Sequence, residues 1–145
     1  MASFDVKSLF TNIPLNFTLK LLLDSIFSGE VNKFHGLNCS RLKKLLHWIC
    51  KTSTFQFDGK FYKQTDGIAM GSPIAPLLAD VLMNHILNEA LQKTPLEDKP
   101  TFMCRYVDDI FVATPDNNKL DAFLKTLCNI HSSITFTKDL SLIHI

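Results

Sequence analysis

The 145 residues carry 15 Lys+Arg against 14 Asp+Glu, and 46% of them are hydrophobic. That is ordinary globular material, enough for one domain with a buried core. A net charge of +1 does not mark the chain as a nucleic-acid binder. Cys39, Cys50, Cys104 and Cys128 contain no Cys-x-x-Cys pair, which argues against a zinc site, and each has apolar neighbours among which a free thiol packs well. Such cysteines suit a reduced, intracellular protein. His35, His47, His85, His131 and His144 show no ligand spacing. No signal peptide, internal repeat or membrane-spanning apolar run is visible, so no membrane association is expected.

In chain order, Ala2–Thr11 begins as a strand, with Phe4 and Val6 on one face and Asp5 on the other. Asn12-Ile13-Pro14 ends it. Apolar residues at 15, 19, 22, 23, 26 and 27 then predict a helix stopped by Ser28-Gly29. Residues 30–38 read as a loop. A second helix is expected from Ser40, with Leu42, Leu45, Leu46 and Ile49 inward and Trp48 alongside. Its cations Arg41, Lys43 and Lys44 read as a solvated face. Asp58-Gly59 between Thr54–Phe57 and Lys60–Gln64 is a strong hairpin signal, because Asp-Gly accepts the positive φ of a type I′ turn. A glycine loop, Asp66–Pro73, opens a long helix from Ile74 to Gln92, with Pro76 in its first turn and residues 74, 77, 78, 81, 82 and 86 inward. Such a loop either serves structure alone or lets a ligand approach backbone amides at the helix start. It lacks the Walker pattern. Pro115–Asn118 caps a helix to His131, with Leu120, Phe123, Leu124, Leu127 and Cys128 inward, and Ile134–Lys138 alternates as a last strand. The chain closes on Ser141–Ile145 without a cap, the pattern of a fragment.

Phe102–Val112 is the most informative stretch. Two β-rich runs flank Asp108 and Asp109, which predicts a hairpin with an acidic tip. Two like charges about 4 Å apart repel by roughly 4 kcal/mol at an effective dielectric of about 20, and a cation between them reverses the sign. The tip is either a solvated acidic turn or a site for a hard divalent ion such as Mg²⁺. The element order predicts an α+β domain, a mainly antiparallel sheet with helices packed on one face. The open face is then free for a site, from which Asp5, Asp108 and Asp109 would project. Two-metal phosphoryl transfer needs carboxylates converging on ions about 3.5–4 Å apart, and one strand carboxylate beside two at a neighbouring tip suits it.

Phe4-Asp-Val-Lys-Ser-Leu-Phe10, Gly67-Ile-Ala-Met-Gly-Ser-Pro-Ile-Ala-Pro76 and Arg105-Tyr-Val-Asp-Asp-Ile-Phe111 together resemble motifs A, B and C of reverse transcriptases, in that order. The wording is most similar to that of Penelope-like retroelements, relatives of telomerase reverse transcriptase, and the similarity runs from about residue 2 to 138. The resemblance implies a polymerase palm over residues 1–145, with motifs A to C and a partial D, lacking fingers, thumb and endonuclease. It implies RNA-directed DNA polymerase activity: transfer from a dNTP to a DNA primer 3′-OH on an RNA template, in the nucleus, with two Mg²⁺ or substituting Mn²⁺. Asp5 and Asp108 match the principal metal ligands, Asp109 completes the triad, and the Val6 carbonyl is a further ligand. Phe10 matches the aromatic gate against a ribose 2′-OH. The Ser8 and Leu9 amides would lie near the triphosphate, and Gly71, Ser72 and Pro73 would line the incoming nucleotide and template. Tyr106, Gly67 and Asp66 fall where the family contacts primer and template, although Asp66 stands where telomerase-like enzymes carry Gln. Lys138 is the only basic candidate for a general acid near the last strand, without a clear motif D around it. The rival readings are a truncated, inactive retroelement relic and a noncatalytic RNA-binding platform with stacking aromatics, the latter without an RNP1 pattern.

Overall fold

The computed structural model describes residues 1–29 and 31–139. Glu30 of the expected loop and the closing Ser141–Ile145 segment lie outside the described residues. The chain forms two compact units, Met1–Leu9 with Met83–Ile145, and Phe10–Leu82.

The first unit is built on a four-stranded sheet. Its strands are β1 (Ala2–Val6), β4 (Phe102–Tyr106), β5 (Asp109–Ala113) and β6 (Phe136–Asp139), in the order β4-β5-β1-β6. All three pairings are antiparallel. Alternation sends Phe4, Val6, Ile110 and Val112 to a covered face, where all are buried. The helices lie on that face. The Phe4 ring stacks on Phe123 of α5 (Asn117–Cys128) at 6.5 Å between centroids. Arg105, in register with Ile110, reaches Asn84 of α4 (Ala75–Lys93). α5 starts where Asp116 accepts the Asn118 N–H at 3.0 Å, a side-chain N-cap. It buries Leu120, Phe123 and Leu127, while the expected inward residues Leu124 and Cys128 are only half-buried. Near the end of α4, Glu89 bridges His85 (3.1 Å) and Lys93 (2.7 Å), and the Lys93 hydrogen bond pulls its carboxyl below the ordinary value.

The second unit holds α1 from Phe10 (the helix is Leu9–Asn12), α2 (Leu15–Ile26), α3 (Cys39–Lys51) and the hairpin of β2 (Thr54–Phe57) and β3 (Lys60–Lys63). It also holds the first part of α4. Asp58 and Gly59 both take positive φ, +49° and +71°, as the type I′ expectation requires. α3 buries Leu42, Leu46 and Cys50, spaced four apart. The expected inward residues Leu45 and Ile49 are exposed instead, because the buried stripe is rotated toward Cys50. In α4, Leu77 is likewise exposed, and the buried row is Ala75, Leu78, Ala79, Leu82, Met83, Ile86, Leu87 and Ala90. That row follows the i, i+3, i+4 pattern of one helix face. Burial pushes the Cys50 thiol up from its ordinary value. Cys39 and Cys104 are exposed, against the expectation that every cysteine packs away. Among the described residues, no helix is long and apolar enough to cross a membrane.

Candidate active site

The register of β1 and β5 runs Ala2↔Val112, Ser3↔Phe111, Phe4↔Ile110. Continued by one residue, it sets Asp5 beside Asp109. Both side chains are exposed, and both share the parity of Ser3 and Phe111, so they stand on the open face of the sheet. Cross-strand neighbours on one face have Cβ atoms about 4.5–5.5 Å apart, where like charges are destabilising. Tyr106 pairs with Asp109 from β4 and is 81% exposed on the same face. Thr137 pairs with Asp5 from β6, and its hydroxyl donates to the Asp5 carbonyl at 3.3 Å. Continued in this way, the register puts two carboxylates on the two central strands at the end of their ladder, beside a phenol and a hydroxyl.

The hairpin tip is shifted from the expected one. Tyr106 pairs with Asp109, so the two turn residues are Val107 and Asp108, and Asp109 belongs to the strand. Val107 carries the positive φ, +55°, in a β-branched residue, while Asp108 does not. That φ matches the first turn position of a type II′ hairpin, a place glycine normally fills. For a β-branched side chain it is a strained conformation. Arg105 secures the turn: its guanidinium donates to the Val107 carbonyl and to the Asn84 side chain, both at 2.9 Å. No role for Arg105 was expected. The available signal was a cation at an inward-facing strand position, in step with Met103. Asp108 is half-buried in the turn next to Asp109.

Of the other expected residues in this unit, Val6 is buried and pairs with Phe136. Ser8 turns the chain with a φ of +49°, and Leu9 is buried at the start of α1. Lys138 points to the covered face, paired with Asp121 of α5 at 2.7 Å. Its side chain is 17% exposed and held in that ion pair.

Phe10, Asp66, Gly67, Gly71, Ser72 and Pro73 belong to the second unit. Phe10 is half-buried, and its carbonyl accepts the Ile68 N–H at 2.8 Å. Gly67 lies directly against this segment at a φ of +68°, and a Cβ there would meet the Thr11 carbonyl oxygen at 2.3 Å. Its glycine is therefore demanded by backbone packing. Gly71 differs: it is exposed, its φ is ordinary and a Cβ would meet open space. Asp66 is exposed, and its carbonyl accepts from the Gln64 amide at 2.9 Å. The Ser72 N–H donates to the Ala69 carbonyl and the Ser72 carbonyl accepts from Ala75, so the loop closes into the start of α4.

The open-face carboxylates are hard oxygen donors of the kind Mg²⁺ takes, usually one or two from protein together with substrate phosphates. Among the described residues, no three His, Cys, Asp or Glu side chains form a ready metal-holding group. The donor chemistry fits a divalent ion whose remaining ligands come from substrate and water.

Residues 1–137 match the family described as reverse transcriptase (RNA-dependent DNA polymerase). The telomerase reverse transcriptase of Takifugu rubripes is 27% identical over 129 residues, 88% of this chain and 11% of the relative. That of Rattus norvegicus is 31% identical over 86 residues, 57% of this chain and 7% of the relative. The chain thus spans only about a tenth of the length of these relatives. Among solved structures, telomerase from Candida albicans, in complex with a TWJ fragment of telomeric RNA, has a TM-score of 0.73. That match covers 97% of this chain and 28% of the other at 14% identity, a likeness of fold. Apo telomerase from Candida tropicalis gives a TM-score of 0.64 over the same 97%. The fold is the α+β, palm-like arrangement expected from the element order. With the match running over nearly the whole chain and the paired carboxylates standing on the open face of that sheet, the chain belongs to the reverse transcriptase (RNA-dependent DNA polymerase) family.

Proposed function

We propose that this chain is the palm of an RNA-directed DNA polymerase of a Penelope-like retroelement, adding dNTPs to a DNA primer on an RNA template. The observation that carries the reading is the β1–β5 register, which, continued one residue past Phe4↔Ile110, sets Asp5 beside Asp109 on the open sheet face, with Asp108 in the adjoining turn. Phosphoryl transfer asks little covalent chemistry of a protein, and positioning and charge supply most of the rate. In this reading Asp5, Asp108, Asp109 and the Val6 carbonyl hold two Mg²⁺, or Mn²⁺ in substitution. The bound ions would lower the pKa of the attacking hydroxyl and neutralise charge on the leaving group. The Ser8 and Leu9 amides face the triphosphate, Phe10 excludes a ribose 2′-OH, and Gly71, Ser72 and Pro73 border the nucleotide. Tyr106 supports the primer end, and Asp66 and Gly67 adjoin the template. The four free thiols suit a reducing compartment, and we assign the protein to the nucleus; a tagged protein confined to secretory vesicles would remove that assignment.

The test is primer extension on an RNA template, wild type against Asp108→Asn. Removing a charge that acts on the transition state lowers rates by on the order of 10²–10³-fold, and at least that loss is expected. Wild-type extension by the variant sinks the reading, and no extension by either protein favours the inactive relic.

A further inference from the structure

Three cations of α3, Lys43, Lys44 and Lys51, line a groove together with the exposed Trp48. Lys43, His47 and Lys51 recur every four residues, and Lys44 and Trp48 stand four apart beside them, so the five share one side of the helix. With Lys63 of β3 they line a groove of about 660 Å³. No carboxylate lines it. Between residues 38 and 65 the chain holds six Lys or Arg and a single acidic residue, Asp58. No carboxylate among the described residues pairs with any of these four lysines. Trp48, the only tryptophan, is 66% exposed in this setting. An indole contributes about 150–250 Å² when it is buried, and here most of that contribution is forgone.

Lysines that track a phosphate backbone, with an aromatic ring on which a base can stack, are the recurring parts of single-strand recognition. We propose that this groove binds single-stranded RNA, with the lysines on successive phosphates and Trp48 stacked on a base. RNA is favoured over DNA because Asn16, Ser40 and Thr52 line the same groove and supply polar partners for a 2′-OH. Thr52 donates its own hydroxyl hydrogen to the Ile49 carbonyl at 3.2 Å, which leaves its oxygen lone pairs to accept from a ligand. None of these residues belongs to the three polymerase motifs, so the site is an RNA contact additional to the one those motifs imply.

Because Trp48 is the sole tryptophan, its emission reports on the groove directly. The chain is titrated with a uridine oligonucleotide of about 12 nucleotides, within the range of single-strand site sizes. Parallel titrations use the matching thymidine DNA strand and polyglutamate. Saturable quenching by the RNA is expected. Substituting Lys43 and Lys44 together by Ala should weaken binding about tenfold and flatten the salt dependence by about 0.7 per lost phosphate contact. Lys63→Ala, on the hairpin wall, should act in the same direction, while Lys125→Ala, an exposed lysine of α5 outside the groove, should leave the quenching unchanged. Absent quenching at low salt, or quenching indifferent to both lysine variants, overturns the proposal. Equal affinity for the DNA strand overturns the RNA assignment, equal affinity for polyglutamate makes the groove a protein-docking surface, and an equal loss in Lys125→Ala makes the effect one of net charge and overturns the groove.

Discussion

Gly67 and Gly71 lie four residues apart in one loop and answer to different constraints. At Gly67 a methyl group would meet the Thr11 carbonyl oxygen at 2.3 Å, and the residue also holds a positive φ. Gly67→Ala must therefore displace backbone, and a loss of roughly 2–4 kcal/mol is expected in denaturant unfolding. Gly71→Ala meets neither obstacle, and a change within about 0.5 kcal/mol is expected. If Gly71→Ala keeps its stability but loses nucleotide affinity, glycine at 71 serves the ligand. A stability loss like that of Gly67→Ala would instead assign it to the fold. Phe10 is open to a similar separation. Its half-buried ring is either a gate or simply a packing residue, and Phe10→Ala tells the two apart. A gate predicts a lower ratio of dNTP to rNTP incorporation, whereas a packing residue predicts a stability loss with that ratio kept. The sequence shows that these residues are unusual for their positions; which backbone each one touches depends on contacts no local pattern encodes.

The two hairpins show how far an element can be read from its residues. Asp58-Gly59 announces its turn because both residues tolerate positive φ, and both adopt it. Val107-Asp108 gives no such sign, and polarity alone suggests Asp108-Asp109 as the tip. The register overrides that choice, since Ile110 and Val112 must face the core, which fixes Asp109 on the opposite face of β5. Val107 is then driven to a φ of +55°. Left-handed backbone costs an L-residue about 1–2 kcal/mol, and the Arg105 hydrogen bonds to the Val107 carbonyl and to Asn84 help to hold it. Replacing Val107 with Gly relieves the strain and surrenders little burial, because the side chain is 43% exposed. Glycine's chain entropy returns about 0.5–1 kcal/mol of the gain. Val107→Gly should therefore leave stability level or raise it by up to about 1 kcal/mol in thermal unfolding, while slowing primer extension, because the turn that fixes Asp108 has loosened. A variant destabilised by several kcal/mol would show that Val107 packs rather than strains. The helix faces were legible to within one residue's rotation, and they failed at Leu45, Ile49 and Leu77, where periodicity alone leaves the edge of the stripe open.

At the scale of the whole molecule, charge is distributed unevenly along the chain. The unit of residues 10–82 carries eight Lys or Arg against five acidic residues, and the unit holding the sheet carries seven against nine. The acidic excess includes the pair on the open face, where like charges face each other across strands and weaken the sheet. Both carboxylates are exposed, so water and salt screen most of that repulsion. A divalent ion converts it into attraction, and binding to the folded state alone stabilises by about 2.7 kcal/mol at a ligand concentration 100 times Kd. Two opposite effects of one substitution follow. Without divalent ions, Asp109→Asn removes a repulsion and should match or slightly exceed the wild type in melting temperature at low salt. With Mn²⁺ in excess, the wild type should gain several degrees and the variant little, so their order reverses. Thermal melts with and without Mn²⁺, repeated on a folded control such as Lys125→Ala, decide the matter. Equal Mn²⁺ increments in all three proteins would mean that the ion binds elsewhere and that the open-face pair is only a surface charge cluster. A reversal confined to Asp109→Asn would mean that the sheet tolerates two adjacent carboxylates at the expense of stability, as a site built to receive a cation must.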